Sequence, residues 1–169
     1  CYQAVAGSHL PPLFSERVNV VIFYDFEVFK EDWLAVFIDV TKKKEYVIIN
    51  NPDELKALYE ANSKDIWVGY NNRHYDQYIM KGILLGMNPK RINDWIIVEK
   101  KEGWQFSSAF NKVPMINYDV MPNPPVGLKT LEGFLGSNIK ETDVDFRINR
   151  KLTKEEIEMT VFYCRHDVE

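Results

Sequence analysis

The segment with the clearest structural signature reads Val18-Asn19-Val20-Val21-Ile22-Phe23-Tyr24-Asp25-Phe26-Glu27. Residues 18–24 are mostly β-branched or aromatic, which is typical of a buried strand, and Asp25 and Glu27 follow at its end. Side chains two apart in a strand point to the same face, so the two carboxylates lie side by side. Acids beside so apolar a run are costly unless a cation neutralises them. The segment therefore predicts either a divalent-metal site or a strand that ends at Tyr24, with both acids in water.

The pattern after Glu27 continues in strands and then alternates between helices and strands. Further strands are predicted at residues 33–40, 46–49, 65–70 and 115–120. Helices are predicted from residue 52 onward and at residues 76–87, 89–98, 128–135 and 153–169. This order predicts an α/β fold with a mixed five-stranded sheet flanked by helices, antiparallel for the hairpin strands and parallel for the later ones.

The composition excludes several classes of protein. At 169 residues, 46% hydrophobic and 27% charged, the chain suits one soluble globular domain. No run of about 18 apolar residues occurs, so no membrane partner is expected. Two cysteines, Cys1 and Cys164, are too few for a disulfide framework, which favours a reducing intracellular setting. A net charge of −4 disfavours a stand-alone duplex binder, so metal ions would have to supply positive charge at a nucleic-acid site.

Two later groups of residues add candidates for a site. Asn71 and Asp76 lie between a strand end and a helix start, where each alone has a structural explanation as a turn residue and a helix cap. On the last helix, Tyr163 and Asp167 are four residues apart and share one face. The adjoining apolar stripe, which predicts packing on the sheet, consists of Ile157, Val161, Cys164 and Val168.

The three groups form an ordered set: D-x-E after the first strand, N-x-x-x-Y-D after a later strand and Y-x-x-x-D on the last helix. This set resembles the DEDD superfamily of 3′–5′ exonucleases in its tyrosine-containing branch, DEDDy, which includes the proofreading domains of DNA polymerases. The resemblance covers residues 20–169. Residues 119–136 and 153–169 are also similar to proofreading domains of phage-type polymerases. The resemblance implies an RNase H-like fold.

The resemblance also implies roles for individual residues. The four acids that would act in catalysis and hold two divalent ions, Mg²⁺ or Mn²⁺, are Asp25, Glu27, Asp76 and Asp167. Tyr163 would orient the attacking water. Asn71 would contact the substrate, a single-stranded DNA 3′ end, or support the site. Apart from the resemblance, Phe26 and Tyr75 flank the motifs, and their aromatic rings are candidates for stacking on the bases of that 3′ end. Phe26 alternates away from the acids along the strand, which also predicts that its ring is buried.

Two residues near these motifs need separate interpretation. The histidine-containing branch of the superfamily places a His five residues before the last Asp, where this chain has Phe162. His166 lies roughly 100° around the helix from Asp167, so we assign it a structural or surface role. Asp119, at the end of the fifth strand, is a possible fifth acid, and we expect it to cap or support the site rather than to bind metal.

The resemblance places the chain in a wider context. It implies a polymerase domain in the same full-length chain, the cytoplasm of a bacterial host cell as location, and a domain at residues 18–169 that ends abruptly at Glu169. Residues 1–17 are expected to be a leader or the remnant of an expression tag. Three alternatives stay open: an RNA 3′ exonuclease of the same fold, an inert nucleic-acid-binding part of a polymerase, and an RNase H-like endonuclease or resolvase.

Overall fold

The computed structural model describes residues 19–134 and 144–169. Its strands are β1 (Val21–Val28), β2 (Trp33–Asp39), β3 (Lys44–Ile49), β4 (Ile66–Gly69) and β5 (Ile116–Asp119). Its α-helices are α1 (Pro52–Ala61), α2 (Asp76–Leu84), α3 (Pro89–Asn93), α4 (Leu128–Phe134) and α5 (Lys154–Val168). The predicted leader at residues 1–17 and the last residue of the helix predicted at 128–135 lie outside the described residues.

The strands form one sheet in the order β3-β2-β1-β4-β5. β2 runs antiparallel to both β1 and β3, whereas β4 runs parallel to β1 and β5 runs parallel to β4. This arrangement confirms the predicted mixed five-stranded sheet and is consistent with an RNase H-like fold. The central strand is β1, so its side chains lie in the middle of both faces of the sheet.

β1 extends beyond the predicted end at Tyr24. β2 pairs with it along its whole length, with Asp25 opposite Val36 and Glu27 opposite Leu34. The acids are therefore inside the central strand and not after it. Because side chains alternate, Tyr24 and Phe26 project to the opposite face, where both are buried.

Helices cover both faces of the sheet. The main core lies on the face of Tyr24 and Phe26, where apolar side chains of α1, α2 and α3 pack against the sheet. On the other face α5 packs against β1 and β2, and a smaller apolar cluster there includes Leu34, Val36 and Cys164. The predicted apolar stripe of α5 is confirmed, and the helix covers the face that carries Asp25 and Glu27.

The helix ends follow local signals. Asn51 accepts a hydrogen bond from the N–H of Glu54 at the start of α1, and Thr153 and Glu156 form a reciprocal capping box at the start of α5. α2 ends before the predicted residue 87 because Gly86, at φ +73°, closes a Schellman turn in which the N–H of Met87 bonds to the carbonyl of Gly82.

Two segments between α2 and β5 contain irregular helical turns. The predicted helix at 89–98 is α3 followed by a π-helical turn, Asp94–Val98. Residues 102–114, for which the sequence favours no element, contain two short 3₁₀ helices, Gly103–Gln105 and Ser108–Lys112.

Within residues 19–134 and 144–169, no helix is both long enough and apolar enough to cross a membrane.

Candidate metal centre

Three of the four predicted acids come together between β1 and α5. Asp25 and Glu27 project from the same face of β1, and Asp167 lies in the last turn of α5, which packs on that face. One carboxylate oxygen from each of the three lies within 4.8 Å of the other two. The strand geometry supplies the first pair, and the packing of α5 on the sheet adds the third acid.

The fourth acid, Asp76, does not share that 4.8 Å cluster among the described residues. It is the first residue of α2 and is 3% exposed, and its Oδ1 accepts a hydrogen bond from the N–H of Phe26 at 3.1 Å. Asp76 is therefore tied to the β1 backbone between Asp25 and Glu27. It lies close enough for its charge to act on the Glu27 carboxyl group.

Desolvation dominates the electrostatics of the acids. It raises the pKa of Asp25 to about 7; the negative charge of Asp167 adds to the rise, while the Cys164 thiol and Lys129 oppose it. Desolvation likewise holds the pKa values of Glu27 and Asp76 well above their ordinary range, and the charge of Asp25 raises both further. The acids therefore repel one another, and this repulsion adds to the effect of desolvation at all three groups.

Lys129 of α4 supplies positive charge to this acidic cluster. Its ammonium group forms an ion pair with Asp167 and lies 3.8 Å from Glu132. Lys129 is not among the site residues predicted from the sequence. The pairing joins α4 to the last turn of α5, 38 residues along the chain, and no local pattern reports such a contact.

The donor set of the cluster suits a hard divalent cation. Carboxylate oxygens are the protein ligands that Mg²⁺ prefers, and Mn²⁺ accepts them as well. Carboxyl groups that are partly withdrawn from water and repel one another gain most from a bound cation, because the cation removes both costs. The residues present therefore fit a divalent metal.

Comparisons of the chain with family models, curated proteins and solved structures find no match.

α5 carries two further side chains that concern the site, Tyr163 and Cys164. Tyr163, predicted to orient water, is half-buried one turn before Asp167, with its ring edge-on to Phe162. Cys164 is fully buried, and its Sγ lies 3.2 Å from Oδ2 of Asp25. Burial and the charge of Asp25 raise the pKa of this thiol well above its ordinary value, so Cys164 is a protonated hydrogen-bond donor.

The turn between β4 and α2 is held by Asp119. The Asp119 carboxylate accepts hydrogen bonds from the backbone N–H groups of Asn71 (2.9 Å), Arg73 (3.1 Å) and Met121 (2.9 Å). Asn71, predicted to contact substrate, sits at φ +57° in this turn. The supporting role expected for Asp119 agrees with these bonds, and Asp119 is not part of the cluster of Asp25.

The neighbouring Asn72 has a different environment. It is fully buried, and its side-chain amide donates to Asn117 Oδ1 and to the carbonyl of Tyr118, both at 3.0 Å. The hydroxyl of Tyr24 also donates to Asn117 at 3.0 Å. This polar network joins β1, β5 and the turn before α2. The sequence alone does not separate the two adjacent asparagines.

The side chains of Phe26 and Tyr75, both predicted to contact substrate, are occupied by contacts within the protein. The ring of Phe26 is 2% exposed and packs edge-on to Phe37 in the main core, so it is unable to stack on a nucleobase. The burial predicted for this ring is confirmed, because the alternation of side chains along β1 turns it away from the acids. Tyr75 is half-buried, and its hydroxyl donates to Asn93 at 2.8 Å.

A cavity of about 420 Å³ opens beside Asp25 and Asp167. Tyr70, Leu128 and Leu131 contribute to its mostly apolar lining. The hydroxyl of Tyr70 donates to the carbonyl of Val126, which ties β4 to the loop before α4. A volume of this size lies within the usual range for small-ligand sites. A larger cavity of about 780 Å³, beside Arg91 and Trp95, includes none of the predicted site residues among its described lining.

Proposed function

We propose that the protein is a metal-dependent 3′–5′ exonuclease of the DEDD type that removes nucleotides from single-stranded DNA 3′ ends. The observation that carries the proposal is the convergence of Asp25, Glu27 and Asp167 within 4.8 Å, beside a cavity of about 420 Å³. Divalent ions and a carboxylate cluster are the usual apparatus for hydrolysis of a phosphodiester.

The acids have two different tasks in this proposal. Asp25, Glu27 and Asp167 would hold the metal, Mg²⁺ or Mn²⁺, and Asp76 would support them through the N–H of Phe26. The bound ions would acidify a water molecule and neutralise charge on the scissile phosphate. A carboxylate set with raised pKa values, as at Asp25, is compatible with this task because a bound cation favours the ionised form.

Other side chains would position the reactants. The hydroxyl of Tyr163 would orient the attacking water, since it lies one helical turn before Asp167 on the same helix. The cavity beside Asp25 would hold the terminal nucleoside, and its apolar lining would tolerate any base. Asn71, in the turn that Asp119 holds, would contact the single-stranded DNA.

DNA is proposed over RNA, and the domain is proposed to proofread for a polymerase of the same chain, on the strength of the resemblance to phage-type proofreading domains. The net charge of −4 supports a domain that relies on metal and on neighbouring protein for its grip on DNA. The bacterial host cytoplasm follows as the proposed location.

The test is hydrolysis of a 5′-labelled single-stranded DNA oligomer in Mn²⁺. We expect a ladder of products shortened from the 3′ end, with release of mononucleotides. Asp167→Ala is expected to weaken Mn²⁺ binding and abolish activity. Tyr163→Phe is expected to slow turnover by about 10²-fold or more, the range for a group that positions a proton-transfer partner, while Mn²⁺ affinity stays within about twofold.

Glu99→Gln, which removes one exposed acid outside the cluster, is the matched control and should leave activity unchanged. Full activity of Asp167→Ala would overturn the assignment of the acids. If the unmodified protein released no mononucleotides at any concentration, the proposal that it is an enzyme would be overturned. Cleavage of circular single strands would indicate an endonuclease, and faster trimming of an RNA oligomer would indicate an RNA exonuclease.

A further inference from the structure

Cys164 occupies a position between an apolar layer and the acid cluster. It is 0% exposed, and it packs with Leu34 and Val36 of β2. Val36 is the residue opposite Asp25 in the β1–β2 register. The thiol therefore lies behind the Asp25 carboxylate, on the side away from solvent.

Both oxygen atoms in hydrogen-bond range of the thiol belong to one residue, Asp25. Sγ lies 3.2 Å from Oδ2 of Asp25 and 3.6 Å from the carbonyl oxygen of the same residue. A protonated thiol donates one hydrogen and is a weak donor. Among the described residues, the recorded acceptors of the thiol are both on Asp25, and Oδ2 is the nearer one. The thiol is also anchored, because α5 packs on β1 and β2 along this face.

We propose that Cys164 is a positioning residue for Asp25: its S–H holds one carboxylate oxygen and so fixes the other side of the group toward the metal. This inference rests on the proposed function, because it names how one ligand of the proposed site is oriented. Partners that orient metal ligands commonly change metal affinity or activity by about 10–100-fold when they are removed.

The choice of a thiol is consistent with this position. A hydroxyl is the stronger donor, but burying it among Leu34 and Val36 costs more free energy than burying a thiol, which behaves as a small apolar group. Cys164 combines core packing with a single donor. An alanine or valine at this position would keep the apolar contact and lose the hydrogen bond.

The experiment compares Cys164→Ala, Cys164→Val and Cys164→Ser with the unmodified protein. Mn²⁺ binding is measured by isothermal titration without DNA, and the Mn²⁺ concentration for half-maximal hydrolysis is measured with a single-stranded oligomer. Thr160→Ala is the matched control, because Thr160 is fully buried one turn earlier on α5 and its hydroxyl donates within its own helix, to the carbonyl of Glu156.

We expect Cys164→Ala and Cys164→Val to weaken Mn²⁺ binding by about tenfold and to raise the Mn²⁺ requirement for hydrolysis by a similar factor. Cys164→Ser retains a donor and should stay within about threefold of the unmodified protein. Thr160→Ala should leave Mn²⁺ affinity unchanged even where it lowers the melting temperature. Rescue by serine separates an orienting hydrogen bond from the simple filling of space.

Unchanged Mn²⁺ affinity in Cys164→Val would overturn the positioning role and leave Cys164 as a packing residue, with the proposed function intact. Absence of Mn²⁺ binding by the unmodified protein would instead overturn the proposed function. If Cys164→Ala fails to fold, the comparison of valine with serine decides the matter. Equal affinity in those two variants would contradict the inference.

Discussion

At the scale of single residues, Asp25 links pH, metal and stability. Its pKa is about 7 in the folded protein against an ordinary value of 3.8. Folding therefore favours the protonated form. The stability that this group contributes is fully present below about pH 3.8 and is lost as the pH rises through 7. That difference corresponds to at most about 4 kcal/mol, an upper limit because Asp25 is only half-buried.

The first prediction concerns Asp25→Asn, which removes this titration. In the absence of metal at pH 8, we expect the variant to be more stable than the unmodified protein by about 2 kcal/mol, or roughly 5 °C in melting temperature. The two proteins should differ less at pH 5. Thermal unfolding in a chelator across this pH range measures the effect.

Mn²⁺ should reverse the order at pH 8, because it stabilises the unmodified protein and binds Asp25→Asn poorly. The variant should retain part of the pH dependence, since Glu27 and Asp76 also have raised pKa values. Identical melting curves for both proteins in chelator would show that the Asp25 carboxyl group is not desolvated in solution.

The second prediction concerns Asp119, whose carboxylate holds three backbone N–H groups of two loops. We expect Asp119→Ala to lower the free energy of unfolding by about 2 kcal/mol, since partial exposure lets water replace some of the lost bonds. The KM for single-stranded DNA should rise several-fold because Asn71 loses its anchor, while Mn²⁺ affinity stays within about twofold.

Asp145→Ala is the control, because Asp145 also accepts a backbone N–H, that of Arg147, is exposed and is not one of the three clustered acids. It should leave KM unchanged. A fall in Mn²⁺ affinity in Asp119→Ala that matches the rise in KM would mean that Asp119 acts at the metal, contrary to its observed contacts.

At the scale of helices and strands, the α4–α5 ion pair leads to the third prediction. Lys129 pairs with Asp167, and the two side chains are 29% and 21% exposed. Lys129→Met leaves the acids without that cation, so the metal-free protein should lose about 1–2 kcal/mol of stability at pH 8, less than for a fully buried pair. Mn²⁺ should then raise the melting temperature more in the variant than in the unmodified protein.

Lys56→Met is the matched control, since Lys56 pairs with Glu60 on the exposed face of α1. It should change neither stability nor the response to Mn²⁺ by a measurable amount. Weaker Mn²⁺ binding in Lys129→Met would contradict the view that the ammonium group balances the same charge that a metal would balance.

These elements also show how far local sequence patterns reach. The five strands, the capping of α1 and α5 and the apolar stripe of α5 follow from periodicity and caps, which act over a few residues. β1 is longer than predicted because its pairing with β2, a non-local contact, keeps Asp25 and Glu27 in the sheet. Periodicity places Cys164 on the buried stripe of α5, but its contact with Asp25 and the pairing of Lys129 with Asp167 depend on how the helices pack, which no local pattern reports.

Asp76 shows the same limit at the candidate site. A helix cap was its local explanation, yet α2 has Tyr75 at its N-cap, and the Asp76 carboxylate accepts the N–H of Phe26 in β1. The motif pattern groups Asp76 with the other three acids. In the structure Asp76 lies near them, but its carboxylate is not within the 4.8 Å cluster that Asp25, Glu27 and Asp167 form. Only the packing of α2 on β1 decides which oxygen atoms meet.

At the scale of the whole molecule, the negative charge of the protein opposes the binding of a polyanion such as DNA. The net charge is −4, and the acid cluster concentrates negative charge beside the cavity. A phosphate backbone is repelled by such a surface unless cations intervene. We therefore expect bound metal to raise the affinity of the protein for DNA, because the metal lowers the repulsion between the acid cluster and the phosphates.

The fourth prediction follows from this coupling. In a chelator, a fluorescent single-stranded DNA oligomer should show no binding by anisotropy at micromolar protein, whereas Ca²⁺ should permit weak binding. The dependence of log K on log salt should be shallow, with a slope smaller than about 2 in magnitude, because the described lining of the cavity beside Asp25 contains no Lys or Arg that would release counterions from DNA. Asp25→Asn/Asp167→Asn removes up to two negative charges, since Asp25 is only partly ionised near pH 7. The double variant should bind DNA more tightly than the unmodified protein in chelator, yet gain nothing from Ca²⁺. Tight binding in chelator with a steep salt slope would instead support an inert nucleic-acid-binding domain, because affinity would then come from basic side chains and not from the acid cluster.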